Sequence, residues 1–135
     1  MTKNTQASQD ISIRNSLRAF TTNYAATFMS RNIKEFDLLF ADGALENGVP
    51  FLSLRHKYKQ LFSTTQAIEY RIDLLGIEVH EKGATATLTG RFHVRLIYSS
   101  NNIEANSGTM TFFLVKNKGS YKINALTYQL DPKRL

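Results

Sequence analysis

Three carboxylates, Glu69, Asp73 and Glu78, and three histidines, His56, His80 and His93, are the residues whose chemistry deserves a first test. Held inside an apolar cavity, such a group can act as a general acid or base, because desolvation moves its pKa toward the working range. The local spacing argues against that role for the three acids. Ile68, Tyr70, Ile72 and Leu74 alternate with Glu69, Arg71 and Asp73, so the charged side chains take the face opposite the apolar frame. Arg91, His93 and Arg95 form the matching polar row of the next alternating stretch, and opposite charges facing across neighbouring strands account for both rows. Asp42 is a further candidate base, but the pair Asp42-Gly43 already has a use as a turn. His56 stands among Arg55, Lys57 and Lys59 on a solvated face, while Tyr58 lies on the apolar side, where it packs or lends its hydroxyl to a pocket. No two histidines are four residues apart, so no metal site is expected, and nothing calls for a cofactor. The absence of Cys excludes disulfides, thiolate ligands and cysteine nucleophiles. Gly-rich phosphate loops and Gly-x-Ser-x-Gly elbows are missing too. The catalytic residues, if there are any, stay unknown at this level.

The elements that would position these groups can be read from periodicity. Residues 1–9 are polar and are expected to form a flexible N-terminus, with Asp10 as an N-cap. Ile13, Leu17, Phe20, Tyr24 and Phe28 then recur at helical spacing. Asn32 with Glu35 predicts the cap of a short second helix carrying Ile33, Phe36, Leu39 and Phe40, ended by Asp42-Gly43 and Asn47-Gly48. Pro50 suits a first helical position, and Phe51, Leu54, Tyr58, Leu61 and Phe62 give a third amphipathic helix. From about residue 68 the period becomes two. The apolar frame slips to Leu75, Ile77 and Val79 beside Gly76, which predicts a β-bulge. After a turn at His80 to Gly83, the inward frame reads Ala86, Leu88, Gly90, Phe92, Val94, Leu96 and Tyr98. A loop over Ser99 to Asn106 leads to a final hairpin, with its turn at Asn117-Lys118-Gly119. One domain over residues 10–131 is expected, with a C-terminal tail at 132–135.

Composition bounds the partners. The 135 residues include 42% hydrophobic residues, with nine Phe and six Tyr, enough to fold without covalent staples. The net charge of +6 raises nucleic acid as a partner, yet no dense Lys/Arg cluster exists beyond residues 55–59 and Lys133-Arg134, so a nucleic-acid partner is not expected. The first ten residues are polar, and no apolar run approaches the roughly 18 residues a membrane span needs. A cytoplasmic location is expected, although a domain cut from a longer exported protein would look the same. Both faces of the final hairpin are substantially apolar, one with Thr111, Phe113, Val115, Tyr121, Ile123 and Ala125, the other with Met110, Phe112, Leu114, Leu126 and Tyr128. A half-solvated sheet should alternate more cleanly. A second copy of the chain covering Phe112, Leu114, Leu126 and Tyr128 is therefore expected, as a homodimer.

Three helices followed by a bent antiparallel sheet, closing in the run from Gly108 to Tyr128, resembles the NTF2-like superfamily, also called SnoaL-like or cystatin-like. Many members end in such a strand pair with Trp where this chain has Tyr121. The resemblance covers roughly residues 11–130. It implies an α+β cone, with the N-terminal helices packed into a strongly curved sheet and a pocket between them. Enzymatic members place an Asp, His or Tyr in that pocket; no such pattern maps onto positions here. Tyr24, Phe28, Tyr58 and Phe92 are the expected lining of any pocket. Phe36, Phe40, Phe62 and Tyr98 either join them or fill the space. The expected function is a non-catalytic, homodimeric module that binds a small apolar ligand or a protein partner. The alternative is a small isomerase, dehydratase or cyclase using a buried acid or base.

Overall fold

The computed structural model describes residues 2–132, with side chains from residue 7 onward. Helix α1 (Thr2–Ser30) is about 43 Å long at the usual helical rise. It buries Leu17, Phe20, Tyr24 and Phe28 along one stripe, as their spacing requires. Arg31 ends it in the left-handed region with φ 56°. Asn32 then caps α2 (Ile33–Asp37), its Oδ1 accepting from the backbone N–H of Lys34 at 3.1 Å and Glu35 at 3.2 Å. Strands β1 (Phe40–Glu46) and β2 (Val49–Pro50) follow, then α3 (Phe51–Thr64). Asn47 and Gly48 join β1 to β2 with φ 48° and 80°, the mirror-image turn that Gly makes possible. The rest is long strands: β3 (Thr65–His80), β4 (Thr85–Tyr98), β5 (Ile103–Asn117) and β6 (Ser120–Leu130).

The six strands form one sheet in the order β2-β1-β6-β5-β4-β3. All neighbours are antiparallel except β1 and β6, which run parallel. Bulges interrupt the sheet, among them one at Gln66 at the start of β3 and two farther along the strands. One lies in β3, where Leu75 is the extra residue between Leu74 and Gly76. The other lies in β6, where Asn124 has no partner between Ile123 and Ala125. Arg31 locks the helical layer to the sheet by donating to the carbonyls of Phe62, at 3.4 Å, and Thr65.

Several expectations need correction. The backbone is already helical from Thr2, and Asp10 sits inside α1, paired with Arg14 at 3.2 Å, instead of capping it. Phe40 belongs to a strand, not to the second helix: Ile123 N–H donates to Leu39 O at 2.7 Å, and β6 draws the following segment into the sheet. Asp42 is therefore an exposed strand residue. Pro50 precedes the first turn of α3 as its cap. The Ser99–Asn106 loop is shorter than expected, since β5 begins at Ile103. Leu75 does not join the apolar frame; as the bulge residue it stays 68% exposed. Lys133 and Arg134 lie outside the described residues, as does the tail beyond Pro132.

The expected dimer face is also wrong in its residues. Phe112, Leu114 and Leu126 are no more than 2% exposed, because they form the concave face that α1 covers. Phe112 meets Phe20 and Tyr24 edge to face, with ring centres 5.7 and 5.0 Å apart. The bulge at Asn124 puts Ile123 on this inner face as well, fully buried. The convex face holds Thr89, Thr111 and Thr127 in one cross-strand row and Leu45, Ala125 and Phe113 in the next.

Gly108 marks a point where the sheet admits no side chain. A Cβ there would run into Gln129 O and lie 2.9 Å from the Phe92 ring. Gly108→Ala should therefore cost roughly 1–3 kcal/mol, read as a lower urea midpoint with an unchanged slope. A neutral result would mean that β5 and β6 separate more easily than this packing implies.

Candidate functional site

Between α1, α3 and the concave face the aromatic packing leaves a cavity of about 450 Å³. Tyr24 and Phe28 of α1 form one wall, Leu54, Tyr58 and Leu61 of α3 another, and Tyr70, Phe92, Val94, Met110 and Leu126 of the sheet the floor. The exposed members of the lining, Asn47, Val49, Lys57, Tyr128 and Leu130, mark its mouth. The β1–β2 turn is held there by Asn47, which accepts from the Tyr128 N–H at 2.8 Å and donates its own N–H to Leu126 O at 2.8 Å.

Among the described residues, one carboxyl enters this apolar space. Glu46 ends β1 and shares the inward frame of Phe40 and Ala44, which leaves it 5% exposed. The Tyr58 hydroxyl donates to its Oε1. Burial pushes the Glu46 carboxyl above its ordinary value, and the Tyr58 hydrogen bond opposes that rise without cancelling it. Burial also pushes the phenols of Tyr24, Tyr58 and Tyr70 well up, the first by a further contribution from Tyr70 and the second by one from Glu46. All three remain neutral O–H groups at ordinary pH. The Tyr70 hydroxyl is bonded by the Tyr24 hydroxyl, which opposes the rise without cancelling it, and its own acceptor is the Met110 sulfur, a weak one at 3.9 Å. The cavity thus offers apolar walls, phenolic donors and one proton-exchanging carboxyl.

Tyr24, Phe28, Tyr58 and Phe92 all line this cavity. Phe36, Phe40 and Phe62 are buried outside its lining, and Tyr98 points elsewhere, donating to Glu104 at 3.0 Å. The sequence reading missed Glu46, Tyr70 and Tyr128. Glu46 could have been found: two residues after Ala44 and just before Asn47-Gly48, it falls on the inward frame once the segment is read as a strand. The strand acids behave as the cross-strand spacing requires. Glu69 pairs with Arg95 in register and at 3.3 Å, and Asp73 stands opposite Arg91. Arg91 and Arg95 lie on the convex face, while Lys57 and Lys59 belong to α3 on the other side, so these four make no continuous basic patch. Among the described residues, no three potential metal ligands come together, and no helix is long and apolar enough to cross a membrane.

Solved structures share this architecture. A candidate scytalone dehydratase from Novosphingobium aromaticivorans superposes with a TM-score of 0.84 at 9% identity, over 93% of this chain and 89% of that one. An NTF2-like superfamily protein from Salmonella enterica serovar Typhimurium gives 0.74 at 11% identity, over 92% and 94%. The chain has the NTF2-like fold. A ketosteroid isomerase-like protein from Erwinia carotovora atroseptica gives 0.69 at 15% identity, over 88% and 96%. No protein-family model matches the chain, and no curated protein matches it. Identities this low carry the NTF2-like fold and not the chemistry, which rests on the cavity itself.

Within the NTF2-like cone Glu46 makes a measurable claim on stability. Its folded-state pKa lies above the ordinary 4.5, so the folded state holds the proton more tightly than the unfolded chain. The resulting stability is complete below about 4.5 and is lost as pH rises through the folded value. Wild type should therefore lose stability relative to Glu46→Gln as pH climbs from 4.5, seen as a changing gap between urea midpoints. Tyr58→Phe, which removes the bond favouring the carboxylate, should widen that change. A gap independent of pH would show that the carboxyl is solvated.

Proposed function

We propose that this chain binds a small, largely apolar molecule carrying a hydrogen-bond acceptor, in the cavity between α1, α3 and the sheet. The observation that carries this reading is the cavity itself, about 450 Å³ with aromatic walls and an open mouth. That volume falls in the range of small-molecule sites. The Tyr70 phenol, which accepts from Tyr24 and has a thioether as its own acceptor, supports a ligand that presents a carbonyl or similar oxygen.

A second reading is favoured by Glu46: acid–base catalysis on the bound molecule. A carboxyl with a raised pKa beside phenolic donors suits removal of a proton from carbon next to a carbonyl, with the phenols bonding to the oxygen where charge develops. An aromatic ketone such as 2-acetylnaphthalene separates the two readings. Binding should raise the melting temperature, with about 2.7 kcal/mol of added stability at a hundredfold excess over Kd. Tyr70→Phe should weaken that shift. If the second reading holds, wild type should also catalyse exchange of the methyl hydrogens with deuterium, and Glu46→Gln should bind but not exchange. No shift across ketones, phenols and fatty acids would retire ligand binding and leave protein association.

The homodimer is retained in this proposal, but on the convex face. Leu45 and Phe113 are each about 40% exposed there and flank Ala125 in one cross-strand row. Phe113→Glu should shift the sedimentation coefficient from dimer to monomer while leaving the circular dichroism spectrum unchanged. A wild type that sediments as a monomer at tens of micromolar removes the dimer.

A further inference from the structure

The convex face carries a second group of residues, across the sheet from the cavity, that come together only in the folded chain. Asp73 on β3, His93 on β4 and Ser107 on β5 run diagonally across three neighbouring strands. His93 Nδ1 lies 2.8 Å from Ser107 Oγ, and His93 Nε2 lies 3.4 Å from Asp73 Oδ2. With its proton on Nε2, on the side of the Asp73 carboxylate, the imidazole leaves Nδ1 free to accept from the serine hydroxyl; Asp73 Oδ2 itself accepts from Arg71 at 3.4 Å and faces Nε2 without a hydrogen bond. That is the order of roles required of an acid, a base and a nucleophile. Register alone requires only that His93 face Ser107; it does not require a carboxylate on the far side of the imidazole.

Arg91 adds a cation at the same place. It stands opposite Thr109, and its guanidinium bonds to Asp131, beyond the end of β6. Asp131 N–H in turn donates to Ser107 O at 2.8 Å. To reach Asp131 from β4, the Arg91 side chain must pass over β5 beside Ser107. Arg71 and Arg95 border a shallow cleft of about 360 Å³ that also takes in His93, Asn106 and Ser107. The site is roughly 20 Å along β5 from Phe113, six residues away at strand rise, so a dimer on the Phe113 row leaves it open.

We propose that Ser107, His93 and Asp73 form a nucleophilic acyl-transfer site on the outer sheet, with small esters that carry an anionic group as its substrate class. Ser107 Oγ bonds to the ester carbonyl carbon as its proton passes to His93 Nδ1. The carbonyl oxygen takes the negative charge next to the Arg91 guanidinium. The ester C–O bond then breaks, and the leaving alkoxide takes the proton from His93. Water attacks the acyl-serine in the reverse sense, releasing a carboxylic acid and restoring the serine hydroxyl. Asp73 is a positioning residue whose charge, 3.4 Å from Nε2, favours the tautomer with its proton there.

The test uses a fluorophosphonate, followed by intact-mass and peptide analysis, together with 4-nitrophenyl acetate and the carboxylated 4-nitrophenyl succinate. One phosphonyl group should attach to Ser107. His93→Gln should slow its attachment at least tenfold, and Asp73→Asn severalfold. Ester hydrolysis should fall to the uncatalysed level in Ser107→Ala, and the carboxylated ester should be the better substrate. Each of these variants sits on the convex face and should leave the cavity ligand's thermal shift intact. Absence of label, equal labelling in His93→Gln, or undiminished hydrolysis in Ser107→Ala would each overturn the proposal.

Discussion

Phe28 of α1 and Phe36 of α2 meet edge to face with ring centres 5.5 Å apart, and the rest of the interior is arranged around that contact. Phe62 packs on both rings, and Tyr24, Tyr58 and Tyr70 surround them. Aromatic pairs favour tilted and edge-on geometries, so a layer of such rings is stiff and does not collapse to fill every gap. Toward α2 the layer is complete: Phe40 and Phe51 stack with centres 3.8 Å apart. Toward the β1–β2 turn it stops at Tyr58, Tyr70 and Phe92, and the cavity begins where the rings end. The same packing thus holds the helices to the sheet and leaves the space in which a ligand could sit.

Glu46 is affordable in that space only through its surroundings. An unpaired carboxylate in an apolar pocket is costly, and the usual response is to raise the pKa and keep the proton. Among the described residues, Tyr58 supplies the one direct hydrogen bond to this carboxyl. The α3 helix that presents Tyr58 is in turn tied to α2 by Arg55 on Asp37, at 2.7 Å. Geometry at the cavity mouth therefore depends on the seam between two helices as well as on the sheet. A protonatable group placed by rigid neighbours is a common route to a tuned acid or base.

The two faces of the sheet divide the labour. The concave face is apolar and curved, and extra residues such as Leu75 and Asn124, which lengthen one strand against its neighbour, contribute to that curvature. The convex face is threonine-rich and charged, with ion pairs running across strands at Glu69–Arg95 and Arg91–Asp131 and with Asp73 beside His93. Exposed pairs of this kind add little to stability one at a time. Their effect here is geometric: they hold cationic and hydroxyl side chains in fixed register around Ser107.

What the sequence by itself determined follows from local period. The stripe from Leu17 to Phe28, the cap at Asn32, the amphipathic α3 and the alternation of β3 and β4 were legible because each is decided within one or two turns or strand repeats. Those same patterns pointed to Tyr24, Phe28, Tyr58 and Phe92. Strand β1 was not legible, because its pairing partner lies some eighty residues later in β6 and its short apolar stretch fits a helix equally well. With β1 unseen, Glu46 had no face and Asp42 was judged as a turn. The inner and outer faces of the final hairpin could not be told apart either: both are apolar in sequence, and only contact with α1 decides which one is core. Ser107, His93 and Asp73 are likewise ordinary residues until three strands align. Long-range pairing and the position of α1 decided those points, since neither leaves a periodic trace in the chain.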